Sequence, residues 1–421
     1  MKHSNKLESE VKGYVRSFPK TFTSAKGSII TAKDGIEYID FLGGAGALSY
    51  GHNNPYFKEK LIEYIQKDGI SHGLDMATDA KEAFMHAFQD IILKPRGLEY
   101  KFQFTGPTGT NAVEAAVKTA QLVTGRMNVV SFTNAYHGHT KGSLRLTANK
   151  AYREGFENDI NQFTSFLPYY DYVEGLDSAA YLDKVLEDNG SGIDKPAAVI
   201  LETIQGEGGV NIAPVEWIRK VREITEKHGV LMIVDDIQVG CGRTGKFFSF
   251  EESGIYPDII TLSKSLSGYG LPMSMVLFKP ELDEWKPGQH TGTFRGNNLA
   301  FVTAREALER YWTDEKFGDK IMARGETLMS KLKEFQKAFP DEIVDVRGKG
   351  LIQAIEFKSG EVASAIGRTS FENGVIIETC GSGGNILKFL LPLTTETEII
   401  ERGLKVIEEA LAEVLVDKVE K

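Results

Sequence analysis

Short runs of consecutive apolar residues alternate with longer stretches of helical spacing through most of the middle of the chain. The runs Tyr100–Phe104, Asn128–Phe132, Ala197–Thr203, Val230–Val234, Ile259–Leu262 and Met273–Phe278 are rich in β-branched and aromatic residues, and each is followed by glycine or polar residues. They predict strands buried on both faces. Helical spacing runs from Ala112 to Gly125, Pro214 to Lys227 and Asn298 to Trp312. Strands alternating with helices predict an α/β fold with a mainly parallel sheet between helices. The two ends of the chain read differently. Ile29–Thr31 and Tyr38–Phe41 around Lys33–Gly35 predict a hairpin, and Ile343–Val346 and Leu351–Phe357 predict strands flanking Arg347–Gly350. From Thr395 to Val416 the pattern is an amphipathic helix, with Thr395 and Glu398 spaced for a capping box. These pieces predict a smaller α+β domain built from residues 1–60 and 316–421, with a large domain over 61–315 inserted between them.

Composition narrows the function classes. With 421 residues, 41% hydrophobic and 26% charged, the chain has the balance of a globular protein and length enough for a large core. Lysine and arginine number 49 against 59 acidic residues, a net charge of −10, which argues against nucleic acid as the partner. Two cysteines, Cys241 and Cys380, build no disulfide framework and predict buried free thiols in a reducing cytoplasm. The opening Met1–Glu10 is polar and no long apolar run occurs, so neither a signal peptide nor a membrane span is expected.

Candidate chemistry gathers at the predicted strand ends. In Ile259-Ile-Thr-Leu-Ser-Lys264-Ser-Leu-Ser-Gly268 a lysine follows a buried strand, where a parallel sheet presents ligand-binding groups. An amine placed there can be made nucleophilic by desolvation and can form a Schiff base with an aldehyde. In Val230-Leu-Met-Ile-Val-Asp235-Asp236-Ile237-Gln238 a second strand ends in carboxylates, open to a metal, a ribose, a pyridinium nitrogen or plain loop capping. No further ligands stand nearby to favour a metal. The run Phe104-Thr-Gly-Pro-Thr108-Gly109-Thr110 leads from a strand into a helix start, a place for a phosphate, and matches neither nucleotide-binding glycine motif. Tyr136-His137-Gly138-His139 offers an aromatic ring beside glycine; its histidines lack the companions of a metal site. Glu202-Thr-Ile-Gln-Gly-Glu207-Gly-Gly209 and Thr291-Gly-Thr293-Phe-Arg295-Gly-Asn-Asn298 are polar glycine turns. Each segment alone has a plain structural reading: a solvated lysine, a capped loop or a simple turn.

Taken together and in this order, the segments resemble the class III pyridoxal phosphate-dependent aminotransferases of fold type I, across essentially the whole chain. The resemblance implies a seven-stranded, mainly parallel sheet and pyridoxal 5'-phosphate as cofactor. It implies that Lys264 carries the cofactor, Asp235 pairs with its ring nitrogen, and Tyr136 with its neighbour His137 and Ile237 flank the ring. Gln238 would lie near the ring hydroxyl, and Thr108, Gly109 and Thr110 would hold the phosphate. Glu202 opens the family's E-P-x-Q-G-E-G-G run, in which only the proline is changed, to Thr203. Thr293 would reach the phosphate from a neighbouring subunit, so that a dimer is the smallest active unit.

Further segments, Asp68–Thr78, Leu93–Leu98, Phe104–Glu114, Ser263–Pro272 and Gly292–Asn298, are similar to one branch of that family. The activity this implies is exchange of the 4-amino group between L-2,4-diaminobutyrate and 2-oxoglutarate, with L-aspartate 4-semialdehyde and L-glutamate as the other pair, as in ectoine synthesis. Ping-pong kinetics through Lys264 are expected. The alternatives are another ω-aminotransferase acting on ornithine, 4-aminobutyrate or putrescine, a siderophore-pathway diaminobutyrate enzyme, an aminomutase or decarboxylase, or an inactive binding protein. Two substrate-binding arginines common in the family are replaced by His139 and Lys388. Neither offers a guanidinium fork, which makes Arg295 a candidate for carboxylate binding and Lys388 a candidate partner of Glu207.

Overall fold

A computed structural model describes residues 7–157 and 162–416. Of the polar opening Met1–Glu10, residues 1–6 lie outside the described residues, as do residues 417–421 at the end of the third predicted domain range. Seven strands form the central sheet in the spatial order Lys101–Phe104, Met275–Phe278, Ile259–Leu262, Leu231–Asp235, Ala198–Leu201, Val129–Phe132 and Thr164–Leu167. Met275–Phe278 runs antiparallel to both its neighbours, and the remaining pairs are parallel.

The apolar runs predicted these strands because both faces are covered. Successive side chains point to opposite faces. Ile200, Ile233 and Ile259 pack with Ala112, Val113, Ala116 and Ala120 of the helix Gly109–Thr124. Their neighbours Val199, Leu201, Met232, Val234 and Ile260 belong to the opposite core, with Trp217, Ile218 and Val221 of the helix Val215–His228. Each buried valine, leucine, isoleucine or methionine among these stabilises the fold by roughly 1.5–3 kcal/mol, and each alanine by less. The helix Val215–His228 stops at Gly229, whose φ of 58° is costly for other residues, and the chain turns at once into the strand Leu231–Asp235.

Both chain ends contribute to a second sheet, in which Phe22–Lys26, Ile29–Ala32 and Glu37–Asp40 are antiparallel and Val375–Ile376 pairs parallel with Ile39 and Asp40. A third, antiparallel sheet has the order Ile343–Lys349, Ile352–Phe357, Ile386–Phe389, Glu378–Cys380. The strands Thr164–Leu167 and Phe22–Lys26 were not expected; both lie at sheet edges and are only partly buried, so they lack an apolar run. The expected capping box is not formed. Thr395 Oγ1 bonds Ser28 Oγ at 2.6 Å and donates to the Pro392 carbonyl at 2.6 Å, and the helix starts at Thr397. Cys241 and Cys380 are buried free thiols. Among the described residues no helix is long and apolar enough to cross a membrane.

Candidate active site

At the carboxyl edge of the central sheet, Asp235 ends its strand buried. His137 Nδ1 lies 2.7 Å from its Oδ2, while Thr261 Oγ1 and the Ile237 amide donate to Oδ1 at 3.0 and 3.2 Å. Burial opposes a charge on His137, but the hydrogen bond and charge of Asp235 outweigh it and raise the imidazole pKa. The adjacent Asp236 points away, accepting from the Ser249 amide at 3.2 Å and from the Ser249 hydroxyl. Burial pushes its pKa up to about 7. Strand alternation thus separates the two acids, and only Asp235 faces the histidine. Glu202 is also buried here; its Oε1 accepts the Tyr136 amide at 3.0 Å, and burial raises its pKa to about 8. Thr203, where the family has proline, turns its hydroxyl to Ser249 at 2.5 Å.

Lys264 follows the strand Ile259–Leu262 with a φ of 50°, an uncommon conformation for a side-chain-bearing residue and of the kind found at functional sites. Its Nζ donates to the Ala45 carbonyl at 2.8 Å, and burial lowers its pKa. Behind it, Ser265 Oγ meets Ser49 Oγ at 2.5 Å, and Arg243, wholly buried, donates to Ser49 Oγ and to the Leu351 and Leu391 carbonyls at 2.8–3.0 Å. Burial brings that guanidinium down to about 9.

A third group forms a wall of the site. Lys388 Nζ is 2.6 Å from Glu207 Oε1 and 3.0 Å from Glu378 Oε1, with no exposed lysine side chain. Gln238 Nε2 donates to the same Glu207 oxygen at 2.9 Å and to the Ala45 carbonyl at 3.3 Å. Burial works against charge on Lys388, yet the two carboxylates hold its pKa well above the usual value; Glu207, also opposed by burial, is drawn down to about 2 by Lys388 and Lys264. Tyr14 reaches in from near the start of the chain, its hydroxyl 3.1 Å from Glu378 Oε2. Tyr136, His139 and Tyr152 stack edge to face with ring centres 4.9–5.6 Å apart.

At the predicted phosphate turn, the Thr108 amide and hydroxyl both point to Asn111 Oδ1, at 3.3 and 2.7 Å. Thr110 Oγ1 bonds Thr140 Oγ1 at 2.7 Å and Ser143 Oγ. Ile237 packs on Gly109, where an added Cβ would sit 3.1 Å from its side chain. Gly138, at a φ of 126°, lies so close to Thr110 that a Cβ would come within 2.6 Å of Oγ1. Thr293 and Arg295 are not joined to this assembly by any described hydrogen bond. Thr293 is exposed, and Arg295 donates to its own loop at the His290 carbonyl, 3.1 Å away, although Gly292 lies beside Gly106 of the turn. The sequence singled out neither Glu378, Tyr14, Tyr152 nor Arg243. Of these only Arg243, in the glycine-rich run Gly240-Cys-Gly-Arg-Thr-Gly245, lies close in sequence to a segment singled out there, the strand that ends in Asp235.

The fold and this site define a class of enzyme. The family model for class III aminotransferases matches residues 12–411, and the chain belongs to that family. A diaminobutyrate–2-oxoglutarate transaminase of Bordetella parapertussis is 53% identical over 99% of this chain and 96% of its own length. One of Wolinella succinogenes with the same name is 52% identical over 99% and 97%. Among solved structures, the ornithine aminotransferase of Toxoplasma gondii superposes with a TM-score of 0.85 at 26% identity, covering 98% of this chain and 94% of that one. The family's cofactor is pyridoxal 5'-phosphate, and the residues present fit it. Among the described residues, His137 Nε2 and Gln238 Oε1 are buried polar atoms without hydrogen-bond partners, so the site keeps polar capacity that a bound group can satisfy. Gly109 and Gly138 leave open the backbone beside Thr110 and Ile237.

Proposed function

We propose that this protein is a pyridoxal phosphate-dependent transaminase exchanging the 4-amino group between L-2,4-diaminobutyrate and 2-oxoglutarate, the amino transfer that opens ectoine synthesis. Identity at about half of all positions with enzymes of that name, over nearly the whole chain, carries the substrate assignment. The cofactor supplies an aldehyde for the amine and a ring that withdraws electrons from the substrate C–H bond. Lys264 would hold that aldehyde and would carry the proton; its lowered pKa keeps more of the amine in the neutral, nucleophilic form. Asp235, held by His137 and Thr261, would present its carboxylate at the strand end to the ring nitrogen. Tyr136 and Ile237 would flank the ring, with His137 orienting Asp235 and Glu202 anchoring the Tyr136 backbone. Gln238 would serve the ring hydroxyl, and Thr108, Gly109 and Thr110 at the start of their helix would take the phosphate.

Thr293, exposed on its turn, is assigned to the phosphate of a neighbouring subunit, which makes the active unit a homo-oligomer of at least two chains. Arg295 on the same turn would then serve a substrate carboxylate. Arg295→Gln should raise KM for both glutamate and 2-oxoglutarate about tenfold; unchanged values remove it from that role. The division into residues 1–60 with 316–421 and 61–315 is supported by the pairing of Val375–Ile376 with Ile39 and Asp40. A donor panel with 2-oxoglutarate as acceptor tests the whole reading. Aspartate 4-semialdehyde and glutamate should form fastest from 2,4-diaminobutyrate, and a faster reaction with ornithine, 4-aminobutyrate or putrescine would reassign the donor.

A further inference from the structure

The wall beside Lys264 holds one carboxylate more than its own cation balances. Glu207 and Glu378 share Lys388, so the three groups sum to one net negative charge. Lys264 joins this wall through the Ala45 carbonyl, which accepts from both Lys264 and the Gln238 amide that donates to Glu207, but it is the amine that the proposed reaction engages with the aldehyde, and it then no longer offers a free ammonium to the wall. Glu378 differs from Glu207 in its surroundings. Glu207 accepts from both Lys388 and Gln238. Glu378 Oε1, by contrast, is buried and receives no well-directed hydrogen bond, only the ionic approach of Lys388. Glu207 and Lys388 act on the Tyr136 hydroxyl, all three wall charges act on that of Tyr152, and the two rings meet edge to face with centres 5.6 Å apart. Carboxylates with aromatic faces are the surroundings that bind an organic ammonium.

Resting on the transaminase reading, we propose that Glu378 is a specificity-determining residue that receives the second ammonium group of a diamino donor while the first reacts. A donor with one amino group brings no cation to this wall. Glu378 therefore selects between donors and takes no part in the proton transfer.

The test measures kcat/KM for the amine half-reaction of the holoenzyme with 2,4-diaminobutyrate, ornithine and 4-aminobutyrate, the last lacking the second amino group. In Glu378→Gln, which keeps the shape of the side chain and an acceptor for Tyr14, the preference for diamino donors over 4-aminobutyrate should fall about tenfold, chiefly through KM. Glu378→Asp, which keeps the charge, should retain most of the preference. Glu378→Ala should lose it as the Gln variant does and serves in its place if that variant does not fold. An unchanged preference, or equal losses on all three donors, overturns the assignment. A wild type that prefers ornithine, with that preference abolished by Glu378→Gln, overturns the diaminobutyrate reading and leaves Glu378 in its role. A wild type with no preference for diamino donors overturns the role itself.

Discussion

The floor and the wall of this site solve the burial of charge in opposite ways. On the floor, Asp235 is surrounded by donors: an imidazole, a hydroxyl and a backbone amide, each at hydrogen-bond distance. Its neighbour Glu202 avoids the cost of burial by holding its proton, with a pKa near 8. In the wall, Glu207, Lys388 and Glu378 remain charged and rely on one another. A floor built on hydrogen bonds has one stable arrangement, which suits a fixed partner such as a cofactor. A wall built on opposed charges changes its balance whenever a charged substrate enters, which suits discrimination.

The largest expected effect removes the amine that both regions face. Lys264→Ala should lower turnover at least a thousandfold or so, and borohydride reduction should no longer attach the cofactor to the peptide containing residue 264. Normal turnover in that variant would remove the common centre that gives floor and wall their meaning. Next is the wall itself. Lys388→Met leaves two buried carboxylates without their cation and should destabilise the protein by about 3–5 kcal/mol in denaturant unfolding. Combining it with Glu207→Gln and Glu378→Gln should restore most of the loss. If the single variant is as stable as wild type, the wall is not a charge-balanced unit.

Asp235→Asn tests the floor with a smaller change. Thr261 can still donate to the amide oxygen, but His137 loses the charge that outweighs its burial. Its pKa should drop below the usual histidine value, visible by NMR, and turnover should fall roughly a hundredfold. An unshifted imidazole would show that something other than Asp235 holds the proton.

This contrast also explains what could be read from the sequence. Floor groups lie at the ends of apolar strands or on the turns that follow them, so Asp235, Lys264 and Glu202 were identifiable from short local patterns. The wall is assembled from distant pieces. Tyr14 and Glu378 are separated by 364 residues and went unmarked, while Lys388 and Glu207, 181 residues apart, were paired through the family resemblance and meet as expected. No local spacing marks Glu378, which sits on a three-residue strand. The Ala45 carbonyl that accepts from Lys264 is backbone and leaves no side-chain signature at all. The same limit applies to the fold: the buried strands of the central sheet were legible, while the partly buried edge strands Phe22–Lys26 and Thr164–Leu167 were not, nor was the buried strand Ile386–Phe389, whose apolar run is interrupted by Lys388. Thr395 had the spacing of a cap but found Ser28, far away in the chain, a better partner.

The smallest expected effect concerns the proton on Glu202. Burial raises its pKa from the usual carboxylate value of 4.5 to about 8 in the folded chain, so between those values the folded state binds a proton that the unfolded state has released. Stability from this group is therefore greatest at the acidic end of that range and declines as pH rises towards 8. Glu202→Gln keeps an acceptor for the Tyr136 amide and cannot ionise. Thermal midpoints of the cofactor-free protein should fall with rising pH in the wild type, and the fall should be shallower in the variant. Asp236, with its pKa near 7, keeps contributing a slope of the same sign in both. The difference between the two proteins therefore isolates Glu202. If the two curves run parallel, Glu202 is ionised throughout, and the floor then carries fixed charge much as the wall does.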